Sequence, residues 1–333
     1  MKNFSLIVVL LMCSRLGLAM GSVPVESVTP VERHGSLSVD GNRIVDKSGE
    51  AVSLAGVSLF WSNEGWGGNR FYNENTISYL KNDWDATIVR AAIGVDGDGS
   101  YLENPKENWE NLKTAVDAAI ENGIYVIVDW HSHHAEDYPQ AAVDFFIKVA
   151  SEYGEYPNLI YEIYNEPLNT ASWEEDVVPY SEHVIAAIRK IDPDNLIVVG
   201  SPTWSQDVDV ASKNPIIGYE NIVYTLHFYA GTHKEGLRKK AEVALENGIA
   251  LMVTEWGTVE ASGDGAVDHE SVAEWASFMK THNLSHCVWA FNDKDEGASI
   301  LVPNSDPDQE SWPDVSLTES GLLVKELIRE WRH

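Results

Sequence analysis

Eight short apolar runs recur along the chain, and most of them lead into a stretch with helical periodicity. They cover 52–60, 87–93, 124–129, 159–164, 196–200, 222–227, 250–254 and 286–291. The runs are nearly continuous rather than alternating, the pattern of strands covered on both faces. The segments between them carry one apolar stripe each. The clearest joins Ala142, Phe145, Phe146, Val149, Ala150 and Tyr153. Trp109, Leu112, Val116, Ala119 and Ile120 form a second, and Val177, Val184, Ala187, Ile188 and Ile191 a third. Shorter helices are expected over 74–81, 237–245 and 272–279, a closing one around Leu323 and Leu327, and only a brief one after the fifth strand. Strand–helix alternation predicts an α/β fold with a parallel sheet, and eight units predict a closed (β/α)8 TIM barrel.

The segments ahead of the first strand read differently. Residues 1–19 have Lys2, an apolar run from Leu6 to Met12 and small residues at Gly17-Leu18-Ala19. That is the pattern of a secretory signal peptide, and it is too short to span a bilayer. Residues 20–33 are polar, with Pro24 and Pro30, and are expected to be loose. Residues 36–39 and 43–45, joined through Asp40-Gly41, read as a small N-terminal β-hairpin cap with Asp-Gly as the turn. Residues 34–333 are then one barrel domain. The chain reaches His333 without a Ser/Pro/Thr-rich tether, so no carbohydrate-binding module is expected.

Composition narrows the partners. The net charge is −29, and removing a leader that holds Lys2 and Arg15 makes the chain still more acidic. Such a surface disfavours nucleic acid and anionic membranes, and fits a neutral substrate. Losing Cys13 with the leader leaves Cys287 alone, so no intrachain disulfide is expected, and Cys287 reads as a buried small hydrophobe. Twelve tryptophans are many for this length. Trp84, Trp109, Trp275 and Trp331 fit core positions. Trp61, Trp66, Trp130, Trp204 and Trp256 fall near strand ends, where flat apolar rings would stack on sugar rings.

In such barrels the active site lies at the C-terminal ends of the strands. The residues expected there are Trp61, Arg90, His131, Asn165 with Glu166, His227 with Tyr229, Glu255, and Trp289. Pro167 ends the fourth strand just after Glu166. Two carboxylates on two strand tips are the minimum equipment for cleaving a glycosidic bond.

These motifs together resemble glycoside hydrolase family 5, and within it the bacterial secreted endoglucanases (cellulases). The resemblance spans about 34–331. It rests on Val89-Arg90, Asp129-Trp130-His131, Ile163-Tyr164-Asn165-Glu166-Pro167, His227-Phe228-Tyr229, Thr254-Glu255-Trp256-Gly257 and Trp289. It continues through Pro202–Val208 and Asn292–Gly297. The resemblance implies a retaining endo-β-1,4-glucanase with Glu166 as acid/base, Glu255 as nucleophile and a cis peptide bond after Trp289. Arg90 and Tyr229 would hold Glu255 ionised. Glu166 would need a raised pKa from burial and nearby negative charge. Asn165 would bind the sugar 2-hydroxyl, His131 and His227 other hydroxyls, and Trp289 would floor the ring being cleaved. Trp61, Trp204, Lys294 and Glu296 would hold neighbouring units.

His131, His133 and His134 also invite a metal reading. A site there would need a further acid or cysteine in reach, and the family mechanism uses no metal, so no metal or cofactor is expected. The expected partner is a β-glucan, and the expected state is a monomer. Another β-glycan (mannan, mixed-linkage glucan or xyloglucan) would leave the barrel and both glutamates unchanged. A non-catalytic sugar-binding barrel would predict loss of a carboxylate or of Arg90, and all three are present.

Overall fold

The computed structural model describes residues Val28–Trp331. The signal expected over 1–19 lies outside the described residues. Eight strands pair in chain order, all parallel, and the eighth pairs with the first. They are β1 (Ala55–Leu59), β2 (Ile88–Gly94), β3 (Tyr125–His131), β4 (Leu159–Glu162), β5 (Ile197–Val199), β6 (Ile222–Thr225), β7 (Leu251–Gly257) and β8 (His286–Phe291). The two-residue strand Phe228–Tyr229 prolongs the β6 edge alongside β7. The surrounding helices are α1 (Glu74–Trp84), α2 (Pro105–Glu121), α3 (Pro139–Tyr153), α4 (Val178–Ile188), the single turn α5 (Val208–Ala211), α6 (Glu235–Glu246), α7 (His269–His282) and α8 (Glu319–Arg329). This is the expected (β/α)8 barrel, down to the brief helix after the fifth strand. No helix among the described residues is long and apolar enough to cross a membrane.

Alternation along the strands sorts the barrel interior into layers. At the N-terminal end the inward residues are apolar: Leu54, Ile88, Tyr125, Ile127, Ile160, Val198, Val223, Met252 and Cys287 pack together. Cys287 is buried there, as expected. One step higher the inward positions turn polar, with Ser58, Arg90, Asp129, Glu162, Thr225 and Thr254 all fully buried. Gly56 stands where β1 passes so close to β2 that a Cβ would collide with the Ile88 carbonyl. The polar layer thus rests on a dry floor and opens upward.

The hairpin closes that floor. Leu37 and Ile44 join the lower apolar layer. Its strands, Ser38–Asp40 and Arg43–Val45, pair Asp40 with Arg43. The turn is therefore Gly41-Asn42, one residue beyond the expected Asp-Gly, with Gly41 at φ +62°. Part of the stretch expected to be loose is helical. Pro30–His34 forms one turn, capped by reciprocal bonds between Thr29 and Glu32.

Two tryptophans depart from the sequence reading. Trp130 and Trp256 are fully buried in the outer core, not at the rim. Trp130 packs on Phe145 of α3, and Trp256 stacks on Phe228. Each neighbours an inward rim residue, so alternation turns it outward toward the helices. Trp84, Trp109, Trp275 and Trp331 are core residues, as expected.

Candidate active site

Arg90 organises the polar layer. It is fully buried, and its guanidinium reaches outward in several directions. Nε donates to Glu162 Oε2 at 2.7 Å, and Nη1 donates to Glu255 Oε2 at 3.0 Å. Nη2 donates to Asn165 Oδ1 at 2.7 Å and lies 2.9 Å from Asp129 Oδ2. One planar cation thereby joins β2, β3, β4 and β7. Only a guanidinium offers donors in enough directions to do so.

Glu255 stands above Arg90 on β7. Its other oxygen accepts from the Tyr229 hydroxyl at 2.9 Å. Tyr229 reaches it because residue 257 is glycine; a Cβ there would collide with the Tyr229 ring. Gly257→Ala should therefore displace Tyr229. We expect at least about a tenfold loss of kcat with little change in fold, the loss of roughly one charged hydrogen bond. Unchanged kcat in this variant would show that the contact is dispensable.

Glu166 lies beyond the end of β4 and holds two imidazoles. His227 Nδ1 is 2.9 Å from Oε1, and His133 Nε2 is 3.1 Å from Oε2. The far side of His227 is also engaged: Nε2 meets Thr254 Oγ1 at 2.9 Å, and the Thr254 hydroxyl donates to Glu162 at 2.6 Å. His227 thus sits in a chain running from Glu166 to Arg90. It does not present a ring nitrogen for sugar hydroxyls, the role expected of it. His131 does. Its Nδ1 is 2.6 Å from Asp129 Oδ2, which fixes the proton there and leaves Nε2 as an acceptor. Its ring lies parallel to Trp289 at 5.1 Å and edge-on to Trp61 at 4.0 Å.

The electrostatics differ from expectation. Burial would raise the Glu166 carboxyl, but the hydrogen bonds of His133 and His227 prevail and hold it at about 2. Burial opposes the charge of His227, yet its bonds to Glu162 and Glu166 push it up to about 9. Burial and the charge of Glu166 raise Glu255, outweighing the opposite pull of His227 and Arg90. In the free protein the proton expected on Glu166 therefore rests on its histidine partner. A carboxylate and its neighbouring imidazole hold one proton between them, and the two must be treated as a unit.

Above these groups lies a cleft of about 680 Å³. Its walls include Trp61, Trp66, Trp204, Trp289, Lys294 and Glu296, the last two joined by a 2.6 Å ion pair. The peptide bond between Trp289 and Ala290 is cis. Trp130 and Trp256 apart, the residues expected at the site are found at the cleft or in the polar layer beneath it. The three histidines considered for a metal do not converge: His131 turns to Asp129, His133 to Glu166, and His134 is exposed. Sequence reasoning missed Asp129, Glu162, Thr254 and the role of His133. Inward parity was the available signal for the first three. Each lies an even number of residues from another inward position of its own strand.

The model for "Cellulase (glycosyl hydrolase family 5)" matches residues 45–295. The chain belongs to glycoside hydrolase family 5. Endoglucanase Z of Dickeya dadantii is 52% identical over 96% of this chain and 72% of that protein. An endoglucanase of Clostridium saccharobutylicum is 40% identical over 98% of this chain and 72% of its own length. Among solved structures, the catalytic domain of Thermobifida fusca endoglucanase Cel5A in complex with cellotetraose superposes with a TM-score of 0.85 at 29% identity. That match covers 91% of this chain and all of the Cel5A domain.

Proposed function

We propose that this protein is a retaining endo-β-1,4-glucanase that cuts internal bonds of cellulose and soluble β-glucans through a covalent glycosyl-enzyme. One observation carries the reading. A carboxylate oxygen of Glu166, one of Glu255 and a His227 ring nitrogen all lie within 4.8 Å of one another. Retention needs carboxyl groups about 5–5.5 Å apart, whereas inversion needs roughly 6.5–9.5 Å for an intervening water.

Glu255 is the nucleophile, because Arg90 and Tyr229 direct donors at its negative charge. It attacks the anomeric carbon as the glycosidic bond breaks. Glu166 gives a proton to the leaving oxygen, and His227 Nδ1, 2.9 Å away, is the reserve from which Glu166 is charged. In the second step Glu166 takes a proton from water, which displaces Glu255 from the sugar. Asn165 Nδ2 is buried without a partner among the described residues and is the donor for the 2-hydroxyl, a bond that strengthens in the transition state. His131 Nε2 accepts another hydroxyl, and Trp289 floors the ring. Trp61, Trp204, Lys294 and Glu296 hold adjoining units. On this reading the leader over 1–19 exports a monomeric enzyme to its polymeric substrate.

Reducing-end release and viscosity loss with carboxymethylcellulose, compared with mannan, test the reading. Fast viscosity loss on the cellulose derivative supports it; dominant mannan cleavage, or cellobiose from chain ends alone, defeats it. Trp204→Ala should raise KM more than it lowers kcat, since stacking away from the reacting ring is similar in ground and transition states. An unchanged KM would remove Trp204 from substrate contact.

The pH profile follows from the shared proton. As pH rises through about 9, His227 deprotonates and the acid loses its reserve, so kcat/KM should fall there. As pH falls, protonation of Glu255 should cut activity above the usual carboxylate range. An alkaline limb at the pKa of an ordinary carboxyl, about 4–5, would contradict the shared proton.

A further inference from the structure

The loop after β5 contains the most strained backbone at the cleft. Thr203, Trp204 and Ser205 have φ of +60°, +55° and +55°. Together they make one left-handed turn with no glycine in it. L-residues enter this region singly and rarely, and such a run persists only where its surroundings hold it. Three holds tie it to the catalytic groups. Trp204 N donates to the Pro167 carbonyl at 2.9 Å, and His227 N donates to the Ser205 carbonyl at 3.0 Å. Ser205 Oγ donates to the Asn165 carbonyl at 2.7 Å.

The fourth hold comes from outside the site. Thr203 Oγ1 donates to Asp207 Oδ2 at 2.7 Å. The other oxygen of Asp207 accepts from Lys240 Nζ of α6 at 2.5 Å. This chain pins the first residue of the turn to the helix layer. Released, Thr203 would return to negative φ, and the peptide leading into Trp204 would rotate with it.

We infer that Thr203, Asp207 and Lys240 form a positioning clamp that holds the Trp204 ring at the cleft wall and thereby sets how tightly long glucan chains bind. The inference rests on the endoglucanase reading and adds to it Asp207 and Lys240, neither of which lines the cleft.

The test compares Thr203→Val, which keeps the shape and loses the hydroxyl, with Thr203→Ser, which keeps the hydroxyl. Thr203→Val should raise KM for cellohexaose about two- to tenfold, the worth of one hydrogen bond, with kcat within about twofold. Thr203→Ser should stay near the wild type. In a Trp204→Ala background, Thr203→Val should add nothing, because the clamp acts only through that ring. Lys240→Met, a milder lesion on the surface, should show the same dependence on Trp204 and covers the case in which Thr203→Val does not fold. Binding of cellohexaose to the same set carrying Glu255→Gln should reproduce the ratios without turnover. A wild type that binds cellohexaose but never cleaves it would defeat the glucanase reading alone. Unchanged KM and affinity in Thr203→Val, or effects that multiply in full with Trp204→Ala, would overturn the clamp.

Discussion

Glu255→Ala is expected to lose at least about 10⁴-fold in kcat on both soluble glucan and dinitrophenyl cellobioside, because no leaving group compensates for a missing nucleophile. Glu166→Ala should behave differently in kind. On glucan it should lose about 10²–10⁴-fold, the usual worth of a general acid. Dinitrophenolate leaves without a proton, so the first step with the aryl substrate should survive and the glycosyl-enzyme should accumulate. Azide needs no base to attack. It should speed turnover of Glu166→Ala and give a β-glycosyl azide. In Glu255→Ala, azide would enter the space left by the carboxylate and give the α-azide. A β-azide from Glu255→Ala would mean that the two roles are reversed.

Arg90→Met is expected to destabilise the fold by about 3–5 kcal/mol, the cost of removing one partner from a buried ionic cluster. Asp129, Glu162 and Glu255 all lie within 3.0 Å of the guanidinium. Without it these carboxylates face one another in a dry layer, and their pKa values rise. They are then protonated at low pH at less cost than they are ionised at neutral pH. The deficit of the variant should therefore shrink as pH falls, the sign expected when a mutation raises the pKa of folded-state acids. Arg90→Lys should restore only a small part, because an ammonium cannot supply the guanidinium's fork of donors. Urea unfolding of the three proteins at pH 7 and pH 5 measures this. A deficit below about 1 kcal/mol, or one that grows on acidification, would show that the cluster is not held by Arg90.

The barrel was legible because its signals are periodic and local. Continuous apolar strands and the stripe on α3 each report burial directly. The rim was legible because a strand that ends on Asn-Glu-Pro or Glu-Trp-Gly interrupts such a run. What stayed hidden depends on contacts between distant strands. Glu162 reads as one acid in an apolar run, and nothing local says that it shares Arg90 with Asp129 and Glu255. The protonation of Glu166 was missed for the same reason. Burial was foreseeable, but two imidazoles from just beyond β3 and β6 converging on one carboxylate were not. Trp130 and Trp256 were misplaced because nearness to a strand tip was weighed above the alternation that turns them outward. The left-handed turn at Thr203 left no mark, since none of its residues is glycine or asparagine.

The central claim is that Glu255 forms a covalent bond to the sugar. Incubating the protein with a 2-deoxy-2-fluoro cellobioside bearing a dinitrophenyl leaving group tests it most directly, because the fluorine slows breakdown of the intermediate more than its formation when leaving is easy. Intact-mass measurement should find one added fluorocellobiosyl group per chain. Peptide mapping should place it on Glu255. An adduct on Glu166, or no adduct together with α-configured product from the natural substrate, would contradict the account.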